Sequence, residues 1–164
     1  MQMKSMFKNT ALFFSALFLF FCLPHSSVAQ RKYAVYFANS RSYADIVFNF
    51  CQNTYNADLV INVRNYGNND IDVCFVDRPT SSSLDYRITT SLSRADKKIY
   101  ITDYIAYADV KIKISDSSAA DIRLGILDEP RYGTKKIYIE DFDHRQLSLE
   151  QKVAFLYAIG LLKK

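Results

Sequence analysis

The residues that could do chemistry in this chain are mostly acids at regular spacing. Seven times an Asp precedes a stretch of alternating apolar residues: Asp45, Asp58, Asp70, Asp85, Asp96, Asp109 and Asp121. Carboxylates at fixed intervals can line up calcium sites in stacked-turn proteins, but those sites need glycine-rich turns, and this chain has only 4 glycines. We therefore expect a structural role, in which each carboxylate accepts backbone N–H groups of the preceding turn.

One histidine follows the N-terminal segment, and it lies among acids. Asp141, Asp143 and His144 could serve as an acid–base pair or as metal ligands in a hydrolase or metal-dependent enzyme. No Gly-x-Ser-x-Gly nucleophile turn accompanies them, and a zinc site normally has a second His or Cys. We expect His144 to be an ordinary surface residue, and we keep the enzyme as the alternative function.

Two cysteines, Cys51 and Cys74, remain after the N-terminal segment. Both lie at even offsets from the preceding Asp, so they should project from the same face of their strands. In an oxidising compartment we predict that they form a disulfide, with two unpaired thiols as the alternative.

Tyrosines precede several of the Asp residues, in segments predicted to be loops. They are Tyr43, Tyr55, Tyr66 and Tyr107, and Tyr104 and Tyr132 lie in further predicted loops. If these amphipathic rings share one end of the sheet, they form a platform that binds glycans or protein partners. The alternative is that each ring covers the mouth of the core beside its own strand.

The stretches between these residues alternate as β-strands do. Of the 24 side chains at the first, third and fifth positions after each Asp, and after Thr134 in a degenerate eighth copy, 21 are apolar or aromatic. Successive side chains of a strand point to opposite faces, so this pattern predicts half-buried strands with one core face. The short connections, of about five to eight residues, predict that consecutive strands pair antiparallel or lie in different layers.

The two halves of the pattern also repeat. Residues 35–46 match residues 99–110 at an offset of 64, and residues 73–77 match residues 137–141 at the same offset. We infer duplicated four-strand units and a pseudo-symmetric core. After them, Ser148 and Gln151 fit a capping box, which predicts one C-terminal helix over residues 148–162.

The N-terminus reads as a secretory signal peptide, residues 1–29. Lys4 and Lys8 precede an apolar run from Ala11 to Leu23, after which Pro24 breaks the run and small residues up to Ala29 form a cleavage site. An uncleaved membrane anchor is the alternative. Cleavage would lower the net charge from +4 to +2, because two Lys and no acid are removed. So weak a charge disfavours nucleic-acid binding.

The turns of the repeat resemble a known bacterial family, the septoil-knot proteins. Their turns have the form Asp-Ser-Arg-Ser-Gln-Ala-Asp-Leu, and residues 39–46 read Asn-Ser-Arg-Ser-Tyr-Ala-Asp-Ile. Residues 98–103 and 107–112 are similar to a second copy. The resemblance covers about residues 31 to 115. It implies a compact β-rich fold threaded as a deep knot, and it implies no activity, since the family has no established catalytic residues.

Together these observations predict a secreted or periplasmic protein with a single mainly β domain over residues 30–164. We expect eight or nine short strands from the duplicated units, knotted, plus the helix. The predicted function is a non-enzymatic structural or binding module without a cofactor, whose partner is an unknown protein or glycan. Membrane contact is expected only through an uncleaved signal segment.

Overall fold

A computed structural model describes residues 32–162, which form a closed nine-stranded barrel and one helix. The mainly β architecture with a C-terminal helix is therefore confirmed, whereas the predicted signal peptide, residues 1–29, lies outside the described residues. The strands are β1 (Tyr33–Phe37), β2 (Ile46–Phe50), β3 (Leu59–Arg64), β4 (Ile71–Val76), β5 (Ser83–Ile88), β6 (Lys97–Ile101), β7 (Val110–Ile114), β8 (Ile122–Leu127) and β9 (Lys135–Glu140).

Strands that follow one another in the sequence are never neighbours in the barrel. The order around the barrel is β1-β5-β9-β4-β8-β3-β7-β2-β6, closing back on β1, and all nine pairings are parallel. Both predicted alternatives for consecutive strands, antiparallel pairing and placement in different layers, are wrong, because all nine strands belong to one closed parallel sheet. That prediction assumed that a parallel connection must return along the whole length of a strand.

Stagger between the strands explains how short connections join parallel strands. Phe37 near the end of β1 and Ile46 at the start of β2 both pair with Ile99, on the strand between them. In the register of the ladder, the first residue of each strand is therefore level with the end of the previous strand. The new strand lies two places further around the barrel. All eight connections pass one intervening strand in this way, at Val35, Phe48, Ile61, Val73, Ile99, Ile112, Leu124 and Ile137.

Those eight residues also form the centre of the core. Each has 0% of its surface exposed. On β5, the one strand that no connection passes, the corresponding central position is Tyr86, whose ring lies 5.6 Å from that of Phe155. Seven of the eight central residues are the third residues after an Asp, or after Thr134, so the predicted core face is confirmed for those strands.

The fifth strand departs from the predicted register. β5 begins at Ser83, so Asp85 lies inside the strand and accepts a hydrogen bond from the Ser83 hydroxyl at 2.7 Å. The irregular spacing of the Asp residues, 15 before Asp85 and 11 after it, is the sequence signal of this shift.

The connections cross the outer face of the barrel. Asn49 points outward from β2, yet it is buried, because the connection between β6 and β7 covers it. Its amide donates to the Thr102 carbonyl of that connection at 2.8 Å. Asn62 on β3 likewise donates to the Ser117 carbonyl at 2.7 Å. An outward amide on a strand is thus bonded to the connection that covers it, which keeps buried polar groups satisfied.

Six of the seven repeated Asp residues fasten these connections. Each donates its backbone N–H to a carbonyl of the strand that is crossed and accepts the backbone N–H of that same residue through its carboxylate. Asp45, Asp58, Asp70, Asp96, Asp109 and Asp121 bind Lys98, Lys111, Arg123, Ala34, Val47 and Val60 in this way, with carboxylate distances of 2.8 Å. These bonds are structural, as predicted, but the predicted partner is wrong. Each carboxylate binds a backbone N–H at least 53 residues away rather than one in the preceding turn.

The helix α1 (Leu149–Ala158) closes the end of the barrel at which β9 finishes. Ser148 and Gln151 form the predicted capping box. The helix stops before residue 162, because Gly160 at φ 82° turns the chain and Leu161 donates to the Leu156 carbonyl. Val153, Ala154, Phe155 and Leu156 are buried in the same cluster as the central strand residues.

Candidate functional site

Three of the predicted tyrosines lie on neighbouring connections around the barrel. Tyr43, Tyr55 and Tyr107 each belong to a single 3-10 turn, and the connections that carry them cross β6, β7 and β2. Since β7, β2 and β6 are adjacent in the barrel, the three turns follow one another on the outside. All three rings are exposed, so they do not cover the core as the alternative required.

Two of these connections touch through their side chains. The Tyr107 ring lies 5.9 Å from the ring of Tyr104 on the same connection, and the Arg41 guanidinium lies over the Tyr107 ring at 5.2 Å. A cation over an exposed ring contributes roughly 0.5–1 kcal/mol. We call Arg41, Tyr104 and Tyr107 the tyrosine surface. Its rings remain 70% and 52% exposed although neighbouring side chains orient them.

Tyr66 does not belong to this surface. It lies on the connection between β3 and β4, which crosses β8, and β3 separates β8 from β7 in the barrel. Its exposed ring lines a separate cavity beside Arg64. The predicted platform therefore divides into neighbouring turns that bear Tyr43, Tyr55 and Tyr107, and a separate place for Tyr66.

The predicted Cys51–Cys74 disulfide is absent, because both thiols are free. Cys74 is on β4 and Cys51 directly follows β2, and three strands lie between these two in the barrel. Four strand spacings of about 4.8 Å place them almost on opposite sides of a nine-stranded barrel, far beyond the reach of a disulfide. The two cysteines do share the outward face of the barrel, as predicted, but they are not neighbours on it. Burial raises the pKa of the Cys74 thiol.

His144 lies in a shallow depression of about 250 Å³ next to the helix. Its charged and aromatic lining consists of Phe75, Asp77, Asp128, His144, Arg145 and Lys152. The imidazole stacks on the Phe75 ring at 5.6 Å, and its Nε2 lies 3.3 Å from an Asp77 carboxylate oxygen. Arg145 donates to the same oxygen at 2.9 Å. His144 thus contacts an acidic residue, but that residue is Asp77, which is distant in the sequence.

The acids adjacent to His144 in sequence have other tasks. Asp143 caps a 3-10 turn by accepting the Arg145 backbone N–H at 3.0 Å, and it accepts the Arg145 Nε at 3.1 Å. These bonds, the backbone bond first, lower the pKa of Asp143. Asp141 turns the chain after β9 with φ 54° and does not line the depression. The three residues of the alternative enzyme therefore do not converge on one reacting position.

Within residues 32–162 no three His, Cys, Asp or Glu side chains come close enough to hold a metal ion. In the same range, no helix has the length and apolar character needed to span a membrane.

Sequence reasoning missed the partners that give these places their chemistry. Arg41, Asp77 and Arg64 were not singled out. The Asp77–His144 contact spans 67 positions, and no local pattern signals it. For Arg64, an available sign was Asn62, a polar residue two positions earlier on the same strand.

Comparison with protein-family models, with curated proteins and with solved structures gave no match to this chain.

Proposed function

We propose that this protein is a secreted or periplasmic binding module without enzymatic activity, and that its exposed tyrosines contact a glycan. The observation that carries the proposal is the tyrosine surface, where the Tyr107 ring contacts both the Arg41 guanidinium and the Tyr104 ring. Rings oriented before binding lose little conformational entropy when a ligand stacks on them. The two connections that bear these residues are fastened to the barrel by Asp45 and Asp109, so they form a firm support.

The surroundings of the rings favour a glycan over a protein partner. Among residues 32–162, seven of the nine large exposed hydrophobic side chains are tyrosines, whose hydroxyl groups keep the surface wet. Tyr and Arg are both common in protein interfaces, but Ser is depleted there. Here Arg41 lies on the ring itself, and the hydroxyl groups of Ser40 and Ser42 lie 3.0 Å apart beside it. Such a mixture of rings and polar groups suits hydroxyl-rich sugars.

Co-sedimentation with insoluble cellulose, chitin and peptidoglycan tests the proposal. We expect the protein to be retained by at least one of them, and we expect the Tyr104→Ala/Tyr107→Ala double variant to bind it at least about tenfold more weakly. Tyr132→Ala is the matched control, because Tyr132 is fully exposed on a different connection. Equal loss in the control would contradict the assignment of the surface. Retention of the protein by none of the polysaccharides would favour a protein partner.

A further inference from the structure

A second place on the barrel has the chemistry of a small-molecule site. A depression of about 620 Å³ opens where β3 and β8 end and the helix begins. This volume falls within the roughly 300–1,000 Å³ of typical ligand pockets. The residues that matter here are Val63, Arg64, Tyr66, Asp116, Ile126 and Leu149. The site is separate from the tyrosine surface and does not rest on the proposed function.

Arg64 is oriented by a hydrogen bond to Asn62, two residues earlier on β3. Its Nε donates to the Asn62 side-chain oxygen at 2.7 Å, and Asn62, which is fully buried, donates in turn to the Ser117 carbonyl at 2.7 Å. Both ends of the Asn62 amide are thus occupied. Among the described residues, the terminal nitrogens of Arg64 have no hydrogen-bond or ion-pair partner. They are oriented and available, and a guanidinium edge of this kind suits a carboxylate.

An unpaired negative charge shares the same depression. Asp116 is exposed on the connection between β7 and β8, and no hydrogen bond or ion pair engages it among residues 32–162. Although Arg64 and Asp116 line one depression, they do not form an ion pair with each other. Two opposite charges that line one depression and have no partner among the described residues can bind a ligand that carries both charges itself.

The surface of the depression also has an apolar part. Val63 and Ile126 belong to the rim of the barrel core, and Leu149, the first residue of α1, is 40% exposed. The exposed Tyr66 ring stands beside them. A ligand that fits these groups has a carboxylate, an ammonium group and apolar side chains.

We propose that this depression binds short peptides with free termini and apolar side chains. Arg64 binds the terminal carboxylate, Asp116 binds the terminal ammonium group, and Val63, Ile126, Leu149 and Tyr66 contact the side chains. Each charged group recognises one end of the peptide, so blocking either end removes one defined interaction.

Calorimetric titration with three probes tests this assignment: leucyl-leucine, its N-acetyl derivative and its C-terminal amide. The purified protein should bind the free dipeptide at least about tenfold more tightly than either blocked form. Asp116→Asn should weaken binding of the free dipeptide but leave the N-acetyl derivative unaffected. Arg64→Met should weaken the free and N-acetyl forms but not the amide.

Arg94→Met is the control, because Arg94 is an exposed arginine on the connection between β5 and β6, outside the depression. The thermal midpoint of each variant reports whether it is folded, and Asp116→Asn changes an exposed residue, so the test does not depend on Arg64→Met folding. Equal affinity for the three probes overturns the proposal. So does the absence of saturable binding of the free dipeptide up to about 10 mM, or binding that neither variant changes.

Discussion

Asp45, on the connection between β1 and β2, forms two hydrogen bonds with Lys98 on β6, the strand that this connection crosses. The Asp45 backbone N–H donates to the Lys98 carbonyl at 2.9 Å, and the Asp45 carboxylate accepts the Lys98 backbone N–H at 2.8 Å. The side chain thereby supplies the acceptor that a strand backbone would otherwise provide. Because the Asp is the last residue before a strand, it sets the height at which the chain rejoins the sheet. Repetition of this pair at six connections explains why Asp recurs at this place in the repeat.

Removing one such carboxylate should destabilise the barrel. In Asp109→Ala the backbone N–H of Val47, which is buried beneath a connection, loses its acceptor. An unsatisfied buried donor costs about 1–3 kcal/mol, and we expect the free energy of unfolding to fall by that amount in denaturant titrations. Asp103→Ala on the same connection should change it by less than about 0.5 kcal/mol, because Asp103 is exposed. Equal losses in both variants would contradict the role of the carboxylate.

One of these acids should make stability depend on pH. The Arg123 side chain bonds to Asp70 at 2.6 Å and lowers the pKa of Asp70 from its ordinary value of 3.8. A pKa that is lower in the folded state means that the unfolded state binds more protons in the acid range. The stabilisation is therefore complete above the unfolded-state pKa and is lost as the pH falls through the folded-state pKa.

Arg123→Met tests this pH dependence. Without the guanidinium, the pKa of folded Asp70 should move back toward 3.8, so the free energy of unfolding should fall less steeply between about pH 5 and pH 2. Arg87→Met, which removes another exposed arginine of the outer face, serves as the control and should keep the original slope. An unchanged slope in Arg123→Met would show that this pair does not contribute.

The two cysteines should behave as independent thiols. Intact mass should be the same with and without reductant, because Cys51 and Cys74 are free and lie far apart on the barrel. A thiol reagent should label Cys51 first, since Cys74 is only 1% exposed and burial raises its pKa. A mass increase of two hydrogens on reduction would restore the disulfide that the sequence suggested. Labelling of Cys74 before Cys51 would contradict their burial.

The two faces of β7 should respond differently to the same substitution. Ile112→Asn places an amide in the central layer, where Ile112 has no exposed surface, and should lower the free energy of unfolding by at least about 3 kcal/mol. Lys111→Asn introduces the same side chain one position earlier on the outer face and should be nearly neutral. Thermal and denaturant unfolding measure both. Similar losses would disprove the assignment of the faces.

The sequence contains the core of this fold but not its topology. Alternation is local, so Ile61 and Ile112 could be assigned to the interior from their neighbours alone. Strand order depends on contacts about 50 to 64 positions apart, and only the offset of 64 between the halves hints at them. That offset has a structural counterpart: Val35 and Ile99, one from each half, are fully buried central residues of adjacent strands, two positions apart in the register of the ladder.

The candidate sites were predictable only in part, for the same reason. Tyr43 and Tyr107 carry a local signal, because each occupies the same place before an Asp. Arg64 and Asp116 carry none: 52 positions separate them, and the stagger of the strands alone brings them to one depression. The pairing of Cys51 with Cys74 failed on the same point, since a shared outward direction says nothing about distance around the barrel.

The winding of the chain makes a specific prediction about folding. Strands β1 to β5 go once around the barrel and leave every second place for β6 to β9. Connections of the first circuit cross β6 to β9, whereas connections of the second circuit cross strands of the first. Each circuit therefore passes outside the other at some places and inside it at others. From this winding we expect a deep knot, although most folds are un-knotted.

Refolding kinetics test this expectation. Small β domains typically fold in milliseconds to seconds, so threading should add a distinctly slower phase after dilution from full denaturation. Isomerisation at Pro79 and Pro130 would also be slow and must be removed first, which the Pro79→Ala/Pro130→Ala double variant achieves for the barrel. We expect the slow phase to persist in that variant. Complete refolding of the variant in a single fast phase would show that the two circuits assemble without threading, and the knot would have to be abandoned.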